Sequence, residues 1–163
     1  MIYKMPRQET FAAHLVRTSM RWPETLAGLF QNKALSRKTT MNTKQVIVMR
    51  TDTDPPMRKG KMIAQGAHAS IAFLARQAGK GRLDLTPAQA HWMKSSFAKI
   101  CLRVDSESDL MAWYGQAKAA GLEVHLITDS GKTEFKEPTR TCLAIGPDEV
   151  AKIDAITGHL KRL

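Results

Sequence analysis

Hydrophobic and polar positions along this chain follow two different periods in turn. Lys44–Arg50 (KQVIVMR) is a short apolar run with β-branched residues and predicts a central strand. Thr51–Lys59 is a loop fixed by Pro55-Pro56. From Gly60 to Ala78 the spacing turns helical. Ile63, Ala67, Ile71 and Leu74 make an apolar stripe expected to face a core, and Lys61, Gln65 and His68 make a polar one at i, i+4 and i+7. Gly79 and Gly81 end this helix. Thr86-Pro87-Ala88-Gln89 supplies an N-cap Thr, a Pro at N1 and a Gln at N3, so a short helix runs to about Ser95. Ala98–Val104 is a second strand. Asp105 and Ser106 cap a third helix to about Ala120, with Leu110, Tyr114 and Ala117 on one face and Gly121 as its stop. Glu123–Thr128 and Thr141–Ile145 are further strands, and a last short helix follows Pro147 to about Ile156. The order β-α-α-β-α-β-β-α predicts an α/β domain with a mixed sheet and α-helices on both faces. The two strands that Asp129–Arg140 joins need not be parallel.

Met1–Thr40 departs from this pattern. It has no clear strand signal, only short helical patterns near Glu9–Ser19 and Pro23–Gln31, and it ends in the polar run SRKTT. Met41 follows just ahead of the first strand and resembles a start for a compact domain spanning 41–163. Residues 1–40 then form a basic extension: a flexible arm, a targeting-like presequence, or sequence from an upstream start. No apolar segment follows its early charges as a secretory signal would require.

Composition narrows the class of partner. The chain has 163 residues and a net charge of +10, which favours a polyanion, nucleic acid before acidic membrane. Seven basic residues stand against two acidic in Met1–Thr40, and eighteen against thirteen in the rest, so both parts are net positive. No apolar run approaches the roughly eighteen residues of a membrane span, so no membrane association is expected. The two cysteines, Cys101 and Cys142, each lie in a strand-like apolar run and read as buried thiols of a cytoplasmic protein. The five histidines are scattered and no C-x-x-C occurs, so neither a metal nor a cofactor is expected.

Candidate chemistry gathers in two segments. In MRKGKMIAQGAHAS (Met57–Ser70), Arg58, Lys59 and Lys61 precede and open a helix whose free N–H groups also attract anions. Lys61 suits a carbonyl oxygen or a phosphate, and Gln65 is a hydrogen-bonding support. His68 is a candidate base or an orienting group. In DSGKTEFKEPTRTCLAIGP (Asp129–Pro147), Asp129 ends a strand before a Ser-Gly turn. Locally, that aspartate can orient a water, hold a lysine or merely cap the turn. Thr133 and Thr141 carry hydroxyls that can hold a water or donate to an oxyanion.

With VIVMRTD (Val46–Asp52) and TGHLKRL (Thr157–Leu163), these segments resemble the archaeal/eukaryotic-type peptidyl-tRNA hydrolases. The resemblance covers about Lys44 to Leu163, with four motifs in the family's order, and the chain is read as a bacterial member. It implies a four-stranded mixed sheet and a metal-independent hydrolase that cleaves the ester between peptide and tRNA in the cytoplasm. It further implies Lys61, Asp129, Thr133 and Thr141 as catalytic residues, with Gln65 and His68 as further candidates. Arg58, Lys59 and Lys132 would touch the phosphates of the peptidyl-tRNA. A homodimer is left open. Two alternatives stand beside this reading: an RNA-binding module with little hydrolase activity, and a protein-interaction role. One departure bears on them. Where the family has Pro-Gly ahead of its last threonines, Glu137-Pro138-Thr139-Arg140-Thr141 stands here, so the loop backbone has lost a permissive residue.

Overall fold

The computed structural model describes residues 41–163. The extension with its two expected helices lies outside the described residues. Eight elements follow in the expected order: β1 (Thr43–Arg50), α1 (Lys59–Ala78), α2 (Pro87–Lys94), β2 (Lys99–Val104), α3 (Glu107–Ala119), β3 (Val124–Asp129), β4 (Thr139–Glu149) and α4 (Val150–Thr157). The strands form one mixed sheet in the order β2-β1-β4-β3. β1 and β2 are parallel, and β4 is antiparallel to both β1 and β3. No described helix is long and apolar enough to cross a membrane.

The period of two divides the strand side chains between two cores. Val46, Val48, Leu102, Val104, Leu143 and Ile145 face Leu110 and Ala117 of α3 and Ile153 of α4. Ile47, Met49, Cys142 and Ala144 face the other way, onto Ala69 of α1 and Phe135. Local signals placed the helix starts. Thr86 accepts from the Gln89 N–H at 3.2 Å while the Gln89 side chain accepts from the Thr86 N–H at 2.9 Å, and the Ser106 hydroxyl accepts from the Asp109 N–H at 3.0 Å.

Helix α1 is rotated from the expected orientation. Its buried face is Gln65, Gly66, Ala69, Ala72 and Phe73, whereas Ile63 is 73% and Ile71 56% exposed. Small residues win the sheet-facing side because they let the helix axis approach. A Cβ added at Gly66 would already touch the Met49 methyl at 3.8 Å. The displaced stripe instead forms one wall of an open apolar groove, with Ile47, Met49 and Cys101 on its floor and Phe97 at its rim. Cys101 is therefore exposed, contrary to expectation, while Cys142 is buried. β2 lies at the sheet edge, where Leu102 bridges to Arg162 and the Leu163 N–H donates to the Cys101 carbonyl at 3.1 Å, which covers backbone groups that would otherwise be unpaired.

β4 is longer than the apolar run Thr141–Ile145 suggested. Gly146, at φ +82°, carries the strand past the Gly-Pro pair through a register shift against β1. A second shift lies against β3: Ile127 pairs with Cys142 but Thr128 with Arg140, so Thr141 is the extra residue of a bulge.

The loop before β4 turns on Gly131, at φ +75°, where a Cβ would sit 2.5 Å from the Glu137 backbone carbon. The Glu137 backbone of the altered segment thus packs directly against Gly131. Gly131→Ala should therefore destabilise more than Gly121→Ala, which has a similar φ of +72° but open space around it. Gly121→Ala should cost about 1–2 kcal/mol for its left-handed backbone, and Gly131→Ala clearly more. Urea melts of the two variants test this, and equal losses would refute the close approach.

Candidate active site

The first turn of α1 and the end of β3 meet over one carboxylate. Arg58 occupies the N-cap in extended conformation with no side-chain cap, and the first turn holds no acidic residue, so this helix start has no anion of its own. Lys61, on the first turn, donates to Asp129 Oδ2 at 2.5 Å and to Thr133 Oγ1 at 3.0 Å. Gln65, one turn on, donates from its amide to the same Oδ2 at 3.0 Å. The Gly131 N–H donates to Asp129 Oδ1 at 3.0 Å, closing the Asx turn after β3. Behind them the Thr141 hydroxyl donates to Gln65 Oε1 at 2.6 Å, and the Cys142 thiol to the Gln65 backbone carbonyl at 3.3 Å. The bulge at Thr141 turns this hydroxyl into the site. The relay then runs Thr141 to Gln65 to Asp129, with the amide held at both ends.

The Lys61 and Asp129 side chains are only 9% and 11% exposed. An ion pair so withdrawn from water persists only when further hydrogen bonds satisfy it, as Gln65, Gly131 and Thr133 do here. The hydrogen bond from Lys61, opposed by burial and aided by the Gly131 N–H, holds the Asp129 carboxyl below its usual range. Lys61 also lies 5.4 Å from the centroid of the buried Phe135 ring. Burial pushes the Cys142 thiol up to about 12, so at neutral pH it acts as a donor and not as a nucleophile. Among the described residues, no three His, Cys, Asp or Glu side chains gather as a metal site.

Residues 43–163 match the family model described as "Peptidyl-tRNA hydrolase PTH2". The chain belongs to this family. It is 42% identical over 121 residues to the peptidyl-tRNA hydrolase of Methanocaldococcus jannaschii, covering 74% of this chain and 99% of that protein. It is 40% identical over 121 residues to the peptidyl-tRNA hydrolase of Methanothermobacter thermautotrophicus, with the same two coverages. It is also 39% identical over 123 residues to the "Probable peptidyl-tRNA hydrolase 2" of Drosophila melanogaster, covering 75% of this chain and 62% of that one.

Five of the expected residues of this PTH2-family chain are thus in one network or at its rim. Lys61, Gln65, Asp129 and Thr133 meet directly, and Thr141 joins through Gln65. Arg58, Lys59 and Lys132 are exposed beside it, in sequence next to Lys61, Asp129 and Thr133. His68 is exposed and takes no part, since seven residues of helix carry it about 10 Å along α1 from Lys61. Sequence reasoning missed Phe135, although an aromatic inside the polar stretch KTEFKEP was a usable signal. It also gave no role to Arg50, although that residue lies in the family-like segment Val46–Asp52. The Arg50 side chain bonds Asp52 at 2.6 Å, Glu107 at 2.5 Å and the Arg140 carbonyl at 3.1 Å. His125 bonds Glu123, two residues before it, at 2.8 Å.

The lowered Asp129 pKa has a signed consequence. Relative to the protonated carboxyl, the ionised form stabilises the fold at neutral pH. That contribution is fully present above the unfolded-state value of about 3.9 and is lost as pH falls through the lower folded value. Lys61→Ala removes the largest lowering influence and leaves the burial. The Asp129 carboxyl, followed by NMR titration of its carboxyl carbon, should then titrate at higher pH than in the wild type. An unmoved midpoint would show that Lys61 does not set the charge state of Asp129.

Proposed function

We propose that this chain is a metal-independent esterase that hydrolyses peptidyl-tRNA. Water attacks the carbonyl that joins the peptide to the tRNA 3′-terminal ribose. The carbonyl–oxygen bond breaks, the ribose oxygen takes up a proton, and the products are a free peptide and a reusable tRNA. The observation that carries this reading is the Lys61–Asp129 pair, largely withdrawn from water yet set at an uncapped helix start bordered by cations. Family membership and the names of the relatives agree with it.

In this mechanism Asp129 orients the water with its ionised carboxylate. Its depressed pKa makes it a weak base, so its work is placement and electrostatics more than full proton removal. Lys61 stabilises the negative charge that develops on the carbonyl oxygen, helped by the first-turn N–H groups of α1. Thr133 accepts from Lys61 and keeps its own proton free to donate to water or oxyanion. Thr141 is fully buried and reaches Asp129 only through Gln65, so it orients rather than reacts. Arg58, Lys59 and Lys132 grip tRNA phosphates without reading sequence. As part of this proposal the enzyme works in the cytoplasm of a bacterium, although the relatives named above are archaeal and eukaryotic. Residues 41–163 carry the chemistry, in one copy or as a homodimer, and residues 1–40 are an accessory basic extension.

Lys61→Ala and Asp129→Asn should each lower turnover of peptidyl-tRNA by about a hundredfold or more with folding intact, the typical cost of one lost charge stabiliser. Near-normal turnover in both would remove them from the mechanism. A wild type that binds RNA but hydrolyses nothing would favour the binding-module alternative. Activity should persist after chelation with EDTA, and loss restored by one added transition-metal ion would overturn the scheme.

Neutralising Arg58 and Lys59 together should raise KM and flatten its salt dependence by up to about two units of slope, one per phosphate contact. It should leave kcat much less changed, because these charges bind ground state and transition state alike. Salt titration of KM in wild type and double variant checks this. Identical slopes would show that the loop before α1 does not touch the RNA backbone.

A further inference from the structure

We propose that Arg50 is a positioning residue for this site, acting on Asp129 through the bulge at Thr141. The inference rests on the functional reading above only for its effect on turnover. The positioning itself is a statement about geometry.

The bulge creates the need. Regular pairing of β3 with β4 fails between Ile127 and Thr128, and Thr141 is the residue left without a partner on β3. A bulge loosens the ladder locally, so the direction in which Thr141 points depends on what holds the backbone beside it. The carbonyl immediately before Thr141 belongs to Arg140, and Arg50 Nη1 donates to it at 3.1 Å. Arg50 is itself anchored. Its Nε and Nη2 bond both oxygens of Asp52, at 2.6 and 3.4 Å, and its Nη1 bonds Glu107 Oε2 at 2.5 Å. The other oxygen of Glu107 takes the Arg140 guanidinium at 2.8 Å, so residue 140 is held at both its backbone and its side chain.

This clamp joins three elements at one end of the sheet. Arg50 ends β1, Glu107 opens α3, and Arg140 lies at the start of β4. Arg50 is well suited to it, because a planar guanidinium addresses several acceptors in fixed directions at once, which an ammonium does not. Its side chain is only 12% exposed, which leaves it little freedom to serve elsewhere. The path from the clamp to the site is short and continuous. The Arg140 carbonyl precedes Thr141, Thr141 donates to Gln65 Oε1, and Gln65 donates to Asp129 Oδ2. Releasing the carbonyl lets the bulge relax, turns the Thr141 hydroxyl off Gln65, and frees the amide to rotate away from Asp129. The Lys61 bond to Asp129 does not pass through this path, so binding of substrate and the ion pair itself survive.

The test is a double-mutant cycle on the full chain with two readouts. Arg50→Met keeps the length and removes the donors. Arg50→Lys keeps a charge without the planar fork and replaces Arg50→Met if that variant does not fold. In peptidyl-tRNA turnover, Arg50→Met should lower kcat by about tenfold or more while KM stays within about twofold, as expected of a misplaced reacting group. Added to Thr141→Val it should cost no more than about twofold further, because the path it works through is already cut. In the second readout, NMR titration of the Asp129 carboxyl carbon, Arg50→Met should move the midpoint upward, and it should do so only when Thr141 is present. Multiplicative losses in the double variant, a KM effect as large as the kcat effect, or an unmoved Asp129 midpoint would each overturn the proposal. If the wild type hydrolyses no peptidyl-tRNA, the functional reading falls and the titration alone decides the positioning.

Discussion

One carboxylate with several donors organises this domain. Asp129 collects Lys61 and Gln65 from α1 and the Gly131 N–H from its own turn, and so fixes where the start of α1 sits over the end of β3. A buried ion pair gains little net stability, because removing both charges from water costs about as much as their attraction returns. A hydrophobic pair would hold the same two elements as well. What the ion pair adds is a positive and a negative group held together in the fold, already oriented and already partly dehydrated. Such preorganisation matters for chemistry far more than for folding.

The packing around the pair follows from the same constraint. Gln65 must be buried to reach Asp129, so the face of α1 that carries it turns inward and takes Gly66, Ala69 and Ala72 with it. Those small residues let the helix lie close to β1 and β4, and the bulky Ile63 and Ile71 are left outside. The polar contact and the close packing of the small residues thereby favour the same face of α1 as core. The other stripe is left exposed, because the helix cannot present both faces to one sheet.

This conflict marks the boundary of what the sequence makes legible. The strands, the helices and their order follow from local periods and caps such as Thr86 with Gln89, because those signals involve neighbours in the chain. The meeting of Lys61, Asp129, Thr133 and Thr141 was legible through motif order. The burial of Gln65 over Ile63 was not, since the inward face of α1 is set by what the sheet and Asp129 present to it, and spacing along one helix does not carry that. The bulge at Thr141 was hidden because register is a property of two strands. Arg50 was hidden because its partners Glu107 and Arg140 are distant in sequence. The exposure of Cys101 was hidden because it depends on β2 being an edge strand and on α1 covering the other half of the sheet.

The two cysteines have opposite surroundings, and this has a practical side. The Cys142 thiol is buried, engaged with a backbone carbonyl and pushed to about 12, so it is closed to alkylating reagents in the folded state. Cys101 lies open on the floor of the apolar groove beside Met49 and Ile47. The unmodified chain therefore offers a single labelling position, already placed in an open apolar groove. A solvent-sensitive dye attached there would report on whatever comes to lie along α1, without any engineered residue.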